Sequence, residues 1–146
     1  MRQPVRRILD RKSSQMYVLG PDASVADAVQ MMNRHNIGAV LVVDPEQALL
    51  GIFTERDVLR RVIDGRLDYD RTPIEQVMTR KVFYIEPDTS VEEALTMVNE
   101  RACRHLPVME GGQLLGMISI RDLTAAVMAD RDTEIQHLTG YIAGSY

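Results

Sequence analysis

The hydrophobic positions of the first half alternate between helical and extended spacing. After Ser24 the apolar residues recur one helical turn apart, which predicts a helix that begins at this serine as its N-cap. Helical spacing returns at Glu55, and Gly65 is the expected C-cap of that second helix. Before and between the two helices lie apolar, largely β-branched runs that are typical of buried strands. The predicted order is β-α-β-β-α, with strands at residues 16–19, 37–43 and 49–53.

The second half repeats this pattern in the same order. Six residues from Pro21 onwards recur from Pro87 at one offset of 66 (87 − 21), and the offset changes only in loops. A repeat of about 60 residues is small for a separate core, so the two are expected to pack together. We therefore predict an α/β protein with two β-α-β-β-α repeats about a pseudo-twofold axis. The first, residues 1–69, includes an N-terminal segment, and the second, residues 70–146, includes a C-terminal helical tail.

One strand-to-helix junction occurs in both repeats. It reads Gly-Ile-Phe-Thr-Glu-Arg-Asp at residues 51–57 and Gly-Met-Ile-Ser-Ile-Arg-Asp at residues 116–122. Backbone N–H groups and the helix dipole favour an anion at such a junction. A carboxylate there can accept hydrogen bonds from two neighbouring sugar hydroxyls at once. A phosphate donor beside a diol acceptor indicates a nucleotide.

The same residues also have a structural interpretation. A hydroxyl residue followed three positions later by an acidic residue is a capping box, and two more such boxes begin at Ser24 and Ser90. We predict that those two are caps only. Repetition of the whole seven-residue string favours a binding role for the junctions at 51–57 and 116–122.

Composition narrows the possible functions. The net charge is −4 over 146 residues, which argues against a nucleic-acid-binding surface because phosphate neutralisation needs clustered Lys and Arg. No apolar run approaches the roughly 20 residues that cross a bilayer, so no membrane partner is predicted. The single cysteine, Cys103, excludes an internal disulfide and fits a reducing cytoplasm.

No catalytic residue and no metal site are predicted. Cys103 and His105 lie two positions apart, but no third group is visible that would orient the histidine as a base. The three histidines, His35, His105 and His137, are scattered and lack the spacing of metal ligands. An enzyme is therefore disfavoured.

The two repeats resemble a tandem pair of cystathionine-β-synthase (CBS) domains, also called a Bateman module. The resemblance is carried by residues 21–25, 51–57, 87–91, 104–108 and 116–122. It extends from about Val5 to the end, and the tail at 138–144 is similar to that of short bacterial proteins that consist of one CBS pair. The resemblance implies that an adenosine-containing ligand, such as AMP, ADP or ATP, binds in the cleft between the repeats.

Specific roles follow from the resemblance alone. It implies that Asp57 and Asp122 hold the ribose diol and that Thr54 and Ser119 lie by the phosphates. The starts of the buried strands would meet adenine, and basic residues there would reach phosphate. The candidate nucleotide-binding residues are Val18, Ile37, Gly38, Ala39, Val40, Thr54, Arg56, Asp57, Tyr84, Arg104, His105, Leu106, Pro107, Ser119, Arg121 and Asp122.

The chain departs from the family pattern at two places. Val18 and Tyr84 stand where the family commonly has a threonine, although Tyr84 could stack on a base. The first repeat has the small pair at 38–39 where the second has the basic pair at 104–105. The sequence leaves open whether the ligand is AMP, ADP, ATP, NADH or S-adenosylmethionine, and whether one or both clefts are occupied.

The function expected from this resemblance is regulatory. We expect a non-catalytic, cytoplasmic, energy-sensing module that signals its nucleotide state to an unknown regulated protein. We also expect a homodimer through the motif helices, because their apolar stripes need a cover. Those stripes are Val58, Leu59 and Val62 in one helix and Leu123 and Val127 in the other. The alternative is a structural dimerisation module whose nucleotide clefts are vestigial or unoccupied.

Overall fold

The computed structural model describes residues 3–12 and 16–142, with side chains described as far as residue 131. The tail at 138–144 therefore lies outside the described side chains. In chain order the elements are α1 (Arg6–Arg11), β1 (Val18–Leu19), α2 (Val25–His35), β2 (Ala39–Val43), β3 (Leu49–Thr54), α3 (Glu55–Asp57), a π-helix (Val58–Ile63), a 3₁₀ helix (Ile74–Gln76), α4 (Val91–Arg101), β4 (His105–Glu110), β5 (Gln113–Ser119) and α5 (Ile120–Ile142). The predicted α/β class is confirmed.

The described chain forms two compact units. The first-motif unit contains the junction at 51–57 and comprises residues 16–84 and 109–115. The second-motif unit contains the junction at 116–122 and comprises residues 3–12, 85–108 and 116–142.

The first-motif unit is built on a three-stranded sheet in the order β1-β2-β3. β1 runs parallel to β2, and β3 runs antiparallel to it with Ala39 opposite Thr54. Every residue of β2 is buried, as its apolar run predicts. At the outer edge of β3, Ile52 and Thr79 exchange two backbone hydrogen bonds of 3.0 and 2.8 Å. Thr79 thus extends the sheet beside the first motif.

Helix α2 covers this sheet and closes the core of the first-motif unit. The predicted serine cap is confirmed, because Ser24 and Asp27 form a reciprocal capping box. Val25 and Met32 on the helix pack with Phe53 of β3, and all three are buried. Burying side chains of this size contributes about 1.5–3 kcal/mol each, which fixes the sheet that carries the junction.

The second sequence repeat keeps the same order of elements with a reduced first strand. Ile85 makes only a single parallel bridge to Val108. Helix α4 begins at the predicted cap Ser90, which forms a capping box with Glu93. The turn between β4 and β5 has both glycines, Gly111 and Gly112, at positive φ (58° and 79°). Glycine adopts this geometry without a Cβ penalty, which allows the shorter turn of the second repeat.

Each sequence repeat has a leading segment, residues 3–12 in the first and residues 74–79 in the second, that packs against elements of the other repeat. The Val5 amide donates to the Thr89 carbonyl at 2.8 Å, which joins the N-terminal segment to the second-motif unit. The Ile74 amide donates in the same way to the Ala23 carbonyl at 2.8 Å within the first-motif unit. The compact units therefore combine segments from both sequence repeats.

The helix after the first motif differs from the prediction. It makes one α-helical turn and then continues as a π-helix, in which the Asp64 amide donates to the Leu59 carbonyl at 3.2 Å. Gly65 is not its left-handed C-cap, since the positive φ falls on Arg66 (53°). A Cβ at Gly65 would instead overlap the carbonyl oxygen of Arg61. The glycine is explained by close packing and not by backbone handedness.

The predicted apolar stripes are wrong for two of their members. Val62 and Leu123 are buried, because the apolar face of each helix packs first against its own core. The exposed apolar residues on the π-helix are Leu59 and Ile63, at 62% and 63% exposure. Helix α5 exposes Met128. The apolar surface is therefore displaced from the stripes that the sequence predicts.

Candidate functional site

The first motif forms a capping box at the junction of β3 and α3. The Asp57 amide donates to Thr54 Oγ1 at 3.2 Å, and the Thr54 amide donates to Asp57 Oδ2 at 3.0 Å. The Thr54 hydroxyl lies 3.2 Å from the same carboxylate oxygen and donates to it. The structural interpretation of this motif is thus confirmed, and it already occupies one carboxylate oxygen.

The other oxygen of Asp57 faces groups that the sequence did not single out. The Thr79 hydroxyl donates to Oδ1 at 3.4 Å, and Arg61 Nε lies 3.6 Å from that atom. Arg61 Nη1 also donates to the carbonyls of Val77 and Met78, at 3.2 and 2.9 Å. Asp57 is only 6% exposed. Both of its oxygens are therefore committed to the protein itself.

The second motif repeats the box but leaves its carboxylate more open. The Ser119 amide donates to Asp122 Oδ2 at 2.9 Å, and the Asp122 amide donates to Ser119 Oγ at 3.2 Å. The Lys12 ammonium donates to the same Oδ2 at 2.8 Å and to the Met117 carbonyl at 3.0 Å. The side chain of Asp122 is 22% exposed and that of Lys12 is 40% exposed. The partner of this carboxylate is thus a flexible side chain at the surface.

The electrostatics of Asp122 favour the ionised form. Burial is the largest influence and by itself would raise the pKa of this carboxyl. The hydrogen bond and charge of Lys12 and the hydrogen bonds of Ser119 outweigh it, so the pKa of Asp122 is lowered. A carboxylate that is ionised at neutral pH can accept hydrogen bonds from a diol.

The start of each buried strand lies beside its motif. The Glu55 amide donates to the Gly38 carbonyl at 3.0 Å, and the Ile120 amide donates to the Arg104 carbonyl at 2.8 Å. These equivalent bonds bring residues 37–40 next to the first junction and residues 104–107 next to the second. Ala39, Val40, Leu106 and Pro107 are buried, Ile37, Gly38 and His105 are half-buried, and Arg104 is exposed. The predicted set is thereby brought together within each unit, apart from the four residues considered next.

Four candidate residues lie at the margins of these clusters. Val18 is half-buried in β1 opposite Leu41, and Tyr84 is exposed directly before the bridge residue Ile85. Arg56 and Arg121 are exposed in the first turn of their helices. A role for these four residues depends on the ligand and stays a prediction.

The motif glycine allows a leading segment to approach the strand. A Cβ at Gly51 would lie 2.7 Å from Met78 Sδ and 2.7 Å from the Thr79 carbonyl oxygen. A Cβ at Gly116 would lie 2.9 Å from Leu9 Cδ2. Both glycines are therefore explained by packing. The absence of a Cβ leaves room for the two leading segments beside the motif aspartates.

Sequence reasoning missed Lys12, Arg61 and Thr79 as partners of the aspartates. Arg61 stands four residues after Asp57 on one helix, and that spacing is a recognisable ion-pair signal. Lys12 is 110 positions from Asp122, and no local pattern indicates such a contact. These contacts depend on how the leading segments pack.

Cys103, just before β4, is half-buried. Burial raises the pKa of the Cys103 thiol, so it is held in the poorly nucleophilic protonated form. No three His, Cys, Asp or Glu residues in the described part of the chain lie where they could hold a metal ion. Within residues 3–12 and 16–142, no helix has both the length and the apolar character needed to cross a bilayer.

Comparison with known proteins agrees with the repeat and its junctions. The family model described as the CBS domain matches twice, at residues 5–64 and 74–129. The chain belongs to the CBS domain family. The two matches contain the two motif junctions and both motif aspartates, so the capping boxes described above are CBS elements.

Individual CBS proteins are similar over most of the chain. The mitochondrial CBS domain-containing protein CBSX3 of Arabidopsis thaliana is 40% identical over 129 residues, which cover 86% of this chain and 63% of that relative. The chain thus spans somewhat less than two thirds of this relative's length. A solved CBS-domain structure from Burkholderia ambifaria has a TM-score of 0.84 at 40% identity. The match covers 88% of this chain and 96% of the Burkholderia chain.

One more distant CBS structure contains a ligand. A CBS domain protein from Pyrobaculum aerophilum was solved as a complex with AMP. It has a TM-score of 0.73 at 20% identity, and the match covers 82% of this chain and 89% of the Pyrobaculum chain. At this identity the similarity shows a shared fold.

Proposed function

We propose that this CBS pair is a non-catalytic regulatory module that binds an adenosine-containing nucleotide and signals its ligand state to a partner protein. The observation that carries the proposal is the junction at Asp122. There an ionised, partly exposed carboxylate lies beside the Ser119 hydroxyl at the start of helix α5. This arrangement suits a ribose diol with a neighbouring phosphate.

The surroundings of the junction support a charged adenine ligand. The backbone bond between Ile120 and Arg104 places an exposed arginine one residue before His105, next to the motif. The buried apolar residues Leu106 and Pro107 follow, and such residues can pack against a base. We therefore propose AMP, ADP or ATP as the ligand, and the AMP complex of the Pyrobaculum protein is consistent with this choice.

A cytoplasmic location and the absence of catalysis are parts of the same proposal. The lone Cys103 fits a reducing compartment, and its raised pKa argues against a thiolate nucleophile. The regulated partner would respond to the ligand state of the module.

A thermal-shift screen against AMP, ADP, ATP, NADH and S-adenosylmethionine tests the proposal. A ligand at about 100 times its dissociation constant should add roughly 2.7 kcal/mol to the free energy of unfolding. That change raises the melting temperature by several degrees for a chain of this size. If none of the five compounds moves the melting temperature, the protein is a structural module and the internal partners of Asp57 serve the fold alone.

Calorimetric titration of two variants tests which motif binds. Asp122→Asn should weaken nucleotide binding by roughly 10- to 100-fold, because a charge-assisted bond contributes about 1.5–3 kcal/mol. Asp57→Asn should weaken it less, since the oxygens of Asp57 already have protein partners. Loss of binding in Asp57→Asn with unchanged affinity in Asp122→Asn would reverse this assignment.

We also propose a homodimer through the motif helices. Leu59 and Ile63 are exposed together on the π-helix, and Leu67 and Tyr69 are exposed just after it. A patch of this kind usually marks an interface, and a second copy of the chain is its simplest partner. Light scattering should give about twice the monomer mass of 16.5 kDa for the native chain, and less for Leu59→Glu. A native mass near 16.5 kDa at micromolar concentration would contradict the dimer.

A further inference from the structure

Lys12 belongs to the first sequence repeat but contacts the motif of the second repeat. It follows helix α1 directly and donates to both Asp122 Oδ2 and the Met117 carbonyl. In the first-motif unit the cation near the carboxylate is Arg61, from the same helix as Asp57. The position equivalent to Arg61 at the offset of 65 is Ala126, which is buried. The cation at Asp122 is therefore supplied by a separate segment of the chain.

A diol cannot bind across both oxygens of Asp122 while Lys12 remains in place. Oδ2 already accepts the Ser119 amide and the Lys12 ammonium, at 2.9 and 2.8 Å. A diol whose two hydroxyls donate to different oxygens of the carboxylate therefore displaces the ammonium from Oδ2. The side chain of Lys12 is 40% exposed on a flexible stem, and it can move without disturbing a core.

The displaced ammonium then loses its charged partner and keeps a neutral acceptor, the Met117 carbonyl. A neutral nucleoside binds the Asp122 carboxylate but has no anionic group that Lys12 could contact. A nucleotide binds the same carboxylate and also carries a phosphate, which the nearby ammonium can contact. The exchange thus favours ligands that carry both a diol and a phosphate.

We propose that Lys12 makes the Asp122 site selective for phosphorylated over unphosphorylated nucleosides. The proposal rests on the proposed nucleotide-binding function and adds a discriminating residue to it. In the free protein Lys12 covers the carboxylate, and in the complex it contacts the phosphate. Lys12 thereby raises the affinity for nucleotides and lowers the affinity for neutral nucleosides.

Titration of AMP and adenosine into matched variants tests this selectivity. Lys12→Met should reduce the ratio of AMP to adenosine affinity about tenfold, equivalent to about 1.4 kcal/mol, with adenosine binding more tightly than to the native chain. Lys12→Arg should keep the native ratio because it keeps the charge. Lys81→Met is the control, since Lys81 is the other lysine of the chain and is exposed outside the motifs. An unchanged ratio in Lys12→Met with AMP binding retained would overturn the selectivity.

Amine acetylation read by mass spectrometry tests the contact without a ligand. The chain has two lysines, so each modified site is resolved directly. In the native protein Lys12 should react more slowly than Lys81, and in Asp122→Asn its rate should rise towards that of Lys81. AMP should keep Lys12 protected, whereas adenosine should expose it.

The outcomes separate the two proposals. Equal reactivity of Lys12 in the native chain and in Asp122→Asn would overturn the role of Lys12 while leaving nucleotide binding intact. Failure of AMP, ADP, ATP and adenosine to bind the native chain and every Lys12 variant would overturn the proposed function, and the selectivity with it.

Discussion

The two motif junctions have the same capping chemistry and different surroundings. In both, a hydroxyl residue and an aspartate at the start of a helix each accept, with the side chain, a hydrogen bond from the other's backbone amide. Asp57 is buried between Thr54, Thr79 and Arg61, whereas Asp122 is partly exposed and held by Lys12. A repeated motif therefore has the same local hydrogen bonds in both copies. Whether its carboxylate is accessible to a ligand depends on the segments that pack around it.

The largest expected difference between the junctions lies in their glycines. Gly51→Ala should cost about 2–3 kcal/mol, because its Cβ would meet a backbone oxygen at 2.7 Å that cannot move without breaking the edge pairing of β3. Gly116→Ala should cost less than about 1 kcal/mol, since its contact at 2.9 Å is the tip of the Leu9 side chain. Urea unfolding of both variants measures the difference. Equal losses would show that the two leading segments are held equally tightly.

The aspartates should differ next in their effect on stability. Asp57→Asn is expected to cost about 2 kcal/mol in the free protein, because an amide group would face Arg61 or Thr79 in a buried place. Asp122→Asn should cost less than about 1 kcal/mol, since water can replace what is lost at an exposed ion pair. Thermal unfolding without ligand compares them. A larger loss for Asp122→Asn would remove the distinction between a buried and an accessible carboxylate.

The smallest expected effect is a dependence on pH that belongs to the second motif. The pKa of Asp122 is lowered in the folded state, so its ionised form contributes stability above the unfolded pKa near 4, and that contribution is lost as the pH falls through the lower folded value. The difference in stability between native protein and Asp122→Asn, below about 1 kcal/mol at neutral pH, should thus shrink below about pH 4. Denaturant unfolding at several pH values measures it. A difference that grows on acidification would contradict the ion pair with Lys12.

Local sequence patterns were sufficient for most of the fold. The caps at Ser24 and Ser90, the buried strand β2 and the α-β-β order of both repeats follow from spacing over a few residues. Such patterns are informative because capping and burial depend on near neighbours in the chain. They failed where the same residues suit two geometries. Nothing in the apolar spacing of residues 58–63 separates a π-helix from an α-helix, so the sequence predicts Val62 in the exposed stripe although it is buried in the core.

The sequence identified the candidate binding residues and missed what surrounds them. The hydroxyl, the aspartate and the strand start are adjacent in each repeat, as their order in the chain suggests. The partners of the aspartates were not visible, because Lys12 and Thr79 arrive on leading segments from distant parts of the chain. Their contacts arise from packing between segments, and no short-range period encodes them.

Each leading segment packs against the other sequence repeat, and this also has a consequence for folding during synthesis. Residues 3–12 leave the ribosome before the rest of the described chain, and the carboxylate that Lys12 binds is made 110 residues later. Most of the first-motif unit is one continuous stretch, residues 16–84, and can begin to fold while the rest is translated. Closing so long a loop is slow and costs chain entropy, so helix α1 should dock last. A nascent chain cut short before residue 117 would still hold its first helix without the strand and carboxylate that complete it.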